Sequence, residues 1–225
     1  MNGARRACAW EQRKLGGLAS KLCVGFVGTC ERDYTDEKHG VPMYRTTNIV
    51  DGRLVEEGLR FVSQAFHEAN RKSQLVQGDV LIARFGDMGL GAEYKSADQA
   101  NCLNCIIYHP NSRELDTEFF VQLLASPALQ ALVDQRTVGS TFSILNTTDL
   151  GEMEAAVPAI DEQKRIGGFF AQLDNLITLH QRKHQSTGHT CVKLGNSVSW
   201  GNCFTSRMDS MGPATRLVAV FLSLV

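Results

Sequence analysis

No apolar stretch in this chain approaches the ~20 residues that a membrane-crossing helix requires. The longest, residues 217–225, is interrupted by Ser223, so a helical membrane protein is not expected. An excess of either charge is also missing, since 23 Lys and Arg face 24 Asp and Glu for a formal net charge of −1. A protein that holds nucleic acid by bulk positive charge is thereby excluded, whereas a local basic patch is not, because binding depends on where charge sits. Behind Arg5 and Arg6 there is no apolar core of a secretion signal. The 7 cysteines, an odd number, therefore read as reduced thiols of a cytoplasmic protein and not as a disulfide frame.

The local patterns of catalysis are absent too. There is no G-x-S-x-G elbow, no H-E-x-x-H and no kinase-type set. Nor is there the Asn/Asp-Pro-Pro-aromatic motif of amino-methyltransferases. The histidines and carboxylates are scattered without local spacing, so no catalytic residue is assigned. What remains is an ordinary globular composition, 43% hydrophobic and 21% charged over 225 residues, with length for one large domain or a domain and an appendage. It reads as a binding module.

Residues 1–9 show no pattern. From Trp10 to about Asp149 the chain reads as a mixed α/β body. Gly78-Asp79 is a turn, and Val80-Leu81-Ile82-Ala83-Arg84 after it reads as a buried strand closed by Gly86. Residues 42–45 and 102–108 are further strand candidates. Ser63 can cap a short helix through Asn70, anchored by Phe66. Asp116 or Thr117 opens a clearer helix with Phe119, Phe120, Leu123 and Leu124 on one face. Pro127 breaks it or starts another, whose apolar face is Leu129, Leu132 and Val133. After Pro158 comes the clearest helix, with Asp161 as its expected N-cap and Glu162 favouring the helix dipole. Its stripe is Ile166, Phe169, Phe170, Leu173, Leu176 and Ile177, the spacing of a helix that packs on another. Run to Gln185, it would be about 36 Å long. The period stops near His184, and residues 186–225 are rich in Ser, Thr, Gly and Cys.

Three local groupings carry possible chemistry. Cys102 and Cys105 have the spacing of half a zinc site with His109 four residues on, but no second pair exists, and two cysteines in a partly buried strand is the better reading. Gly86-Asp87-Met88-Gly89-Leu90-Gly91 lacks the Lys-Ser/Thr of a phosphate-binding loop and reads as a hairpin whose glycines allow close backbone approach to a ligand. In Tyr44-Arg45-Thr46-Thr47-Asn48, Arg and Asn are types that read base edges and Thr a type that bonds phosphate, although a polar strand end has the same composition.

Taken in order, several stretches resemble one half of the DNA-specificity subunit of type I restriction–modification systems. They are Trp10-Glu11-Gln12-Arg13-Lys14-Leu15-Gly16, Val41-Pro42-Met43-Tyr44-Arg45-Thr46-Thr47-Asn48-Ile49, and Gly78-Asp79-Val80-Leu81-Ile82-Ala83-Arg84-Phe85-Gly86. Gly139-Ser140-Thr141 with Leu145-Asn146 follows. The last runs from Val157-Pro158 through Glu162-Gln163-Lys164-Arg165-Ile166-Gly167 to Gln181-Arg182-Lys183.

The resemblance implies a mixed α/β (α+β) target recognition domain over residues 10–157. A long amphipathic α-helix over residues 158–185 would follow and pair in an antiparallel coiled coil with its counterpart in the other half, setting the spacing of a split DNA site. Residues 1–9 are an unassigned leader, and residues 186–225 a tail expected to be disordered. The implied ligand is double-stranded DNA, contacted by Tyr44, Arg45, Thr46, Asn48, Arg84, Gly86, Ser140 and Thr141. Ile166, Phe169, Phe170, Leu173, Leu176 and Ile177 would pack against a second half-subunit or a second copy of this chain. The implied partners are the methyltransferase and restriction subunits, to which S-adenosylmethionine, ATP and Mg²⁺ would belong. No metal and no membrane are expected for this chain.

Departures from the family pattern leave two alternatives. There is one recognition domain where the family's subunit has two, and the Leu/Lys-rich continuation of the helix is lost after Lys183, as a shift of reading frame would produce. A silent recognition cassette is the first alternative and a self-contained DNA modification enzyme the second. An extra lobe around Trp200 and Phe204 is the other way to read the tail.

Overall fold

Every side chain of the run Val80–Ala83 is buried. A strand buried on both faces needs a layer on each side, and that requirement organises the fold. The structure, a computed structural model, describes residues 10–137 and 144–187. Among them the strands are β1 (Glu11–Lys14), β2 (Ala19–Val24), β3 (Tyr34–Thr35), β4 (Val41–Arg45), β5 (Ile49–Val50), β6 (Arg53–Leu54), β7 (Arg60–Val62), β8 (Val80–Ala83), β9 (Gly91–Glu93), β10 (Asn101–Leu103), β11 (Cys105–Pro110) and β12 (Glu154–Val157). The α-helices are α1 (Gln64–Ala69), α2 (Thr117–Leu124), α3 (Pro127–Thr137), α4 (Thr147–Glu152) and α5 (Ile160–Thr187). The leader and the tail beyond Thr187 lie outside the described residues.

The central sheet has the order β2-β11-β8-β9 and is antiparallel throughout. Alternation along its strands sorts the side chains into two cores. Val80, Ile82, Ile106 and Tyr108 share one with Phe120 and Leu124 of α2 and Leu129 and Val133 of α3. Leu81, Cys105 and Ile107 face the other, with Tyr44, Tyr94 and Cys102. A second sheet of order β10-β4-β7-β3 supplies that layer. On its far side Val41, Met43, Val62 and Phe66 form a third core.

The single strand expected over residues 102–108 is two strands. Asn104 has φ +57°, the left-handed region that Asn tolerates better than most residues. The chain turns there, so that β10 runs parallel to β4 while β11 enters the central sheet. The glycine-rich stretch is the expected hairpin between β8 and β9, with Gly86 at φ +68° and Gly89 at φ +81°.

Helix starts follow the capping chemistry. The Ser63 hydroxyl accepts from the Phe66 amide at 3.2 Å, and Asp116 Oδ1 accepts from the Phe119 amide at 3.0 Å. Pro127 opens α3 in its first turn, where its missing N–H costs nothing. Asn146 caps α4, a helix not anticipated from the sequence, by accepting from the Asp149 amide at 2.8 Å. Asp161 is not the cap of α5. The helix begins at Ile160 and holds Asp161 and Glu162 in its first turn, while the Ala159 carbonyl accepts from the Gln163 amide at 3.0 Å.

The root of α5 is fixed to the body. β1 pairs with β12, which places the start of the body beside the strand that leads into α5. Gln163 is buried, and its amide joins three backbone groups: it accepts from Asp116 N–H at 2.9 Å and donates to the carbonyls of Glu114 at 2.9 Å and Pro158 at 2.8 Å. One turn on, a Cβ on Gly167 would sit 2.6 Å from the Phe119 backbone nitrogen, so only glycine lets α5 approach the start of α2 this closely. No helix among the described residues is long and apolar enough to cross a membrane.

Candidate nucleic-acid interface

Residues far apart in the sequence meet at the Cys105 thiol, at the end of the central sheet where β8 finishes and β11 begins. Thr46 Oγ1 lies 3.6 Å from Cys105 Sγ. The neighbouring Cys102 side chain lowers the Cys105 pKa most, burial opposes it, and Thr46 and the Arg84 charge lower it further. Cys102 is itself fully buried, and burial raises its thiol well above the ordinary value. Both sulfurs are thus core groups. His109 is not directed at them, because its Nδ1 is 2.9 Å from Asp79 Oδ1. Among the described residues no group of three or more His, Cys, Asp or Glu is placed to hold a metal.

Arg84 leaves β8 at this same end. Its Nε donates to the Leu145 carbonyl at 3.1 Å, and its own carbonyl accepts from the Leu145 amide at 3.1 Å. These two bonds tie residues 144–146 to the hairpin. The guanidinium carbon lies 5.6 Å from the centroid of the Phe85 ring, and Phe85 is 38% exposed. Phe85 was not singled out from the sequence, although a large apolar residue between a buried strand and a glycine-rich tip is a usable signal. Gly86 follows in the turn itself. Ser140 and Thr141 lie outside the described residues.

Arg45 and Thr46 sit at the end of β4, half-buried. Arg45 Nη2 donates to the Gly58 carbonyl at 2.8 Å, while its Nε is buried and has no partner among the described residues. Two neighbours named with them are buried. Asn48 is fully buried. Its Oδ1 accepts from the Arg45 amide at 3.0 Å, and its Nδ2 donates to the carbonyls of Val55 at 3.0 Å and Glu57 at 3.1 Å. That use of the amide leaves nothing for a base edge. Tyr44 packs its ring edge-on against Tyr94 with centroids 5.7 Å apart, and it lines a groove of about 450 Å³ with Glu93, Lys95 and Glu118. The Lys95 ammonium is 3.5 Å from each of those carboxylates, and Arg53 also lines the groove.

The apolar stripe of α5 divides into two faces. Ile166 packs on the first core and Phe170 is buried. Phe169 and Leu176 point elsewhere, 57% and 62% exposed, and Leu173 is half-buried. Positions 169 and 176 are seven apart and fall on one side of the helix. The side chain of Ile177 lies outside the described residues.

Comparison with known proteins gives a consistent set of matches. A family model for the type I restriction modification DNA specificity domain matches residues 9–186. The type I restriction enzyme EcoBI specificity subunit of Escherichia coli is 24% identical over 175 residues, covering 74% of this chain and 36% of that protein. The MjaX specificity subunit of Methanocaldococcus jannaschii is 24% identical over 176 residues, covering 75% of this chain and 40% of that protein. In fold the chain is similar to the HsdS subunit of Thermoanaerobacter tengcongensis, with a TM-score of 0.57 at 16% identity over 80% of this chain and 46% of that one. A chain from a type I R-M system, solved for its complex assembly and conformational transition, gives a TM-score of 0.60 at 18% identity over 82% of this chain and 43% of that one. The chain thus spans well under half the length of the curated relatives it matches.

Proposed function

This chain belongs to the type I restriction–modification DNA specificity family, and from that premise we propose that it is one sequence-reading half of a specificity subunit, binding double-stranded DNA and directing methyltransferase and restriction subunits to a split target site. The observation that carries the reading is that Thr46 meets Cys105 where Cys105 pairs with Ala83, the residue before Arg84, which brings two donors from the ends of separate strands to one end of the sheet.

Arg45 and Arg84 supply guanidinium groups there, Thr46 a hydroxyl, and the Gly86 turn a close backbone approach. A well-placed Arg on a base edge is worth ~1–3 kcal/mol of discrimination, whereas a phosphate contact positions the protein without sequence preference. The chain contributes recognition and no catalysis. S-adenosylmethionine, ATP and Mg²⁺ are assigned to its partners.

The exposed Phe169 and Leu176 support a second helix against α5, from a second half-subunit or a second copy in antiparallel pairing. Two copies related by a two-fold would read a symmetric split site. Large apolar groups left in water form a sticky patch that such a partner would cover.

The test is to express the chain with a type I methyltransferase subunit and map methylated positions across a genome. The expected result is one bipartite motif that disappears when the chain is omitted. A stable, well-expressed chain that yields no motif favours a silent cassette. Methyl transfer by the purified chain alone would favour a self-contained modification enzyme.

A further inference from the structure

The far face of the second sheet ends in a pair of cations that the sequence did not bring together. Along β4 the side chains of Val41, Met43 and Arg45 alternate onto one face. Met43 lies opposite Arg60 of β7, and Val62 of the same strand lies opposite Tyr34 of β3. The apolar members of this face are covered by the third core, whereas Arg60 is exposed and Tyr34 and Arg45 are half-buried. The Arg60 guanidinium carbon is 5.9 Å from the Tyr34 ring centroid. The Tyr34 hydroxyl meets the Cys30 side chain, which with burial raises its pKa, while the charges of Arg45 and Arg60 lower it. Neither arginine has a carboxylate partner among the described residues, and Arg45 Nε is buried with no acceptor.

We infer that Arg45, Arg60 and the Tyr34 hydroxyl form a phosphate-binding platform that extends the DNA interface from Thr46 across the second sheet to its β3 edge. Two guanidiniums without a carboxylate partner, one of them over a phenol ring, match the charge of a phosphodiester. The platform joins the interface already described, because Arg45 is bonded in sequence to Thr46. Stacking over Tyr34 holds the Arg60 fork in place, so less side-chain freedom is lost when it binds. The inference rests on the proposed DNA-binding reading and adds two residues, Tyr34 and Arg60, and a contact type to it.

The experiment measures binding of the full chain, assembled with its methyltransferase subunit, to two duplexes of equal length, one carrying the selected motif and one of random sequence, over a series of salt concentrations. For Arg60→Ala the slope of log K against log salt should become shallower by about one unit, with both duplexes weakened alike. Arg60→Lys should restore most of the slope, since charge is kept. Arg60→Ala with an unchanged slope on a binding-competent complex overturns this inference and leaves the DNA-binding reading intact. A change confined to the motif duplex overturns the phosphate assignment in favour of base reading. Absence of DNA binding by the wild-type complex overturns both.

Discussion

Gln163 Oε1 accepts from the backbone N–H of Asp116 at 2.9 Å, joining the first turn of α5 to the residue that caps α2. The same amide also donates to Glu114 and Pro158, so one buried side chain satisfies three backbone groups at the point where the long helix leaves the body. Gln163→Leu keeps the volume and strands all three. Each buried group left unpaired costs about 1–3 kcal/mol, so chemical denaturation of the variant should show a loss of at least about 2 kcal/mol. An unchanged midpoint would mean that α5 is not held at this junction.

Gly167 and Gly168 are neighbours with opposite surroundings. A Cβ at Gly167 meets the Phe119 backbone nitrogen at 2.6 Å, while at Gly168 it meets nothing within 4 Å. Gly167→Ala should lower stability by about 1–3 kcal/mol through overpacking. Gly168→Ala should raise it by about 0.5–1 kcal/mol through helix propensity. Thermal melts of the two variants check the pair, and equal effects would contradict the packing of α5 on α2.

Asn48 and Arg84, both DNA-contact candidates by residue type, differ in burial, Asn48 being fully buried and Arg84 half-buried. Asn48→Ala should destabilise the chain by about 1–3 kcal/mol, since it strands the Arg45 amide and the carbonyls of Val55 and Glu57. At a temperature where the variant is folded, its motif preference should be that of the wild type. Arg84→Ala should instead lower affinity for the motif by about 1–3 kcal/mol. Because Arg84 also bonds Leu145, a melt of the same sample shows whether the loss arises from binding or from folding.

The exposed face of α5 predicts assembly. Phe169→Ser with Leu176→Ser should lower self-association or pairing with a second half-subunit in sedimentation equilibrium. The melting of the body should be retained, since neither ring nor chain is buried there. A monomer at tens of micromolar for the wild type would remove the second copy as the partner.

Much of the fold could be read along the chain because its signals are local. The apolar run at Val80–Ala83, the caps Ser63 and Asp116, the opening of α3 at Pro127 and the hairpin of residues 86–91 each depend on a few adjacent residues. What was not legible depends on partners distant in sequence. Nothing near Asn104 tells that β10 will pair with β4, so residues 102–108 read as one strand. The stripe on α5 reads as one surface, because spacing alone does not say that Ile166 packs on the first core and Phe170 is buried while Phe169 and Leu176 are exposed. In the site, residue type was informative and burial was not visible. Arg, Asn and Tyr in Tyr44-Arg45-Thr46-Thr47-Asn48 look alike as base readers, whereas the structure buries Asn48 in a turn and packs Tyr44 on Tyr94. Arg60 and Tyr34 went unnoticed because only the sheet register brings β7 and β3 alongside β4.

The central claim, that this chain reads a DNA sequence through its recognition domain, is tested most directly by selection from a random duplex pool. The chain mixed with a type I methyltransferase subunit is incubated with the pool, and bound duplexes are sequenced over several rounds, in parallel with the methyltransferase subunit alone. Enrichment of one motif only when the chain is present, with relaxed preference at a defined position in Arg84→Ala, is the result predicted here. Equal enrichment without the chain, or no enrichment from a folded complex, would contradict it.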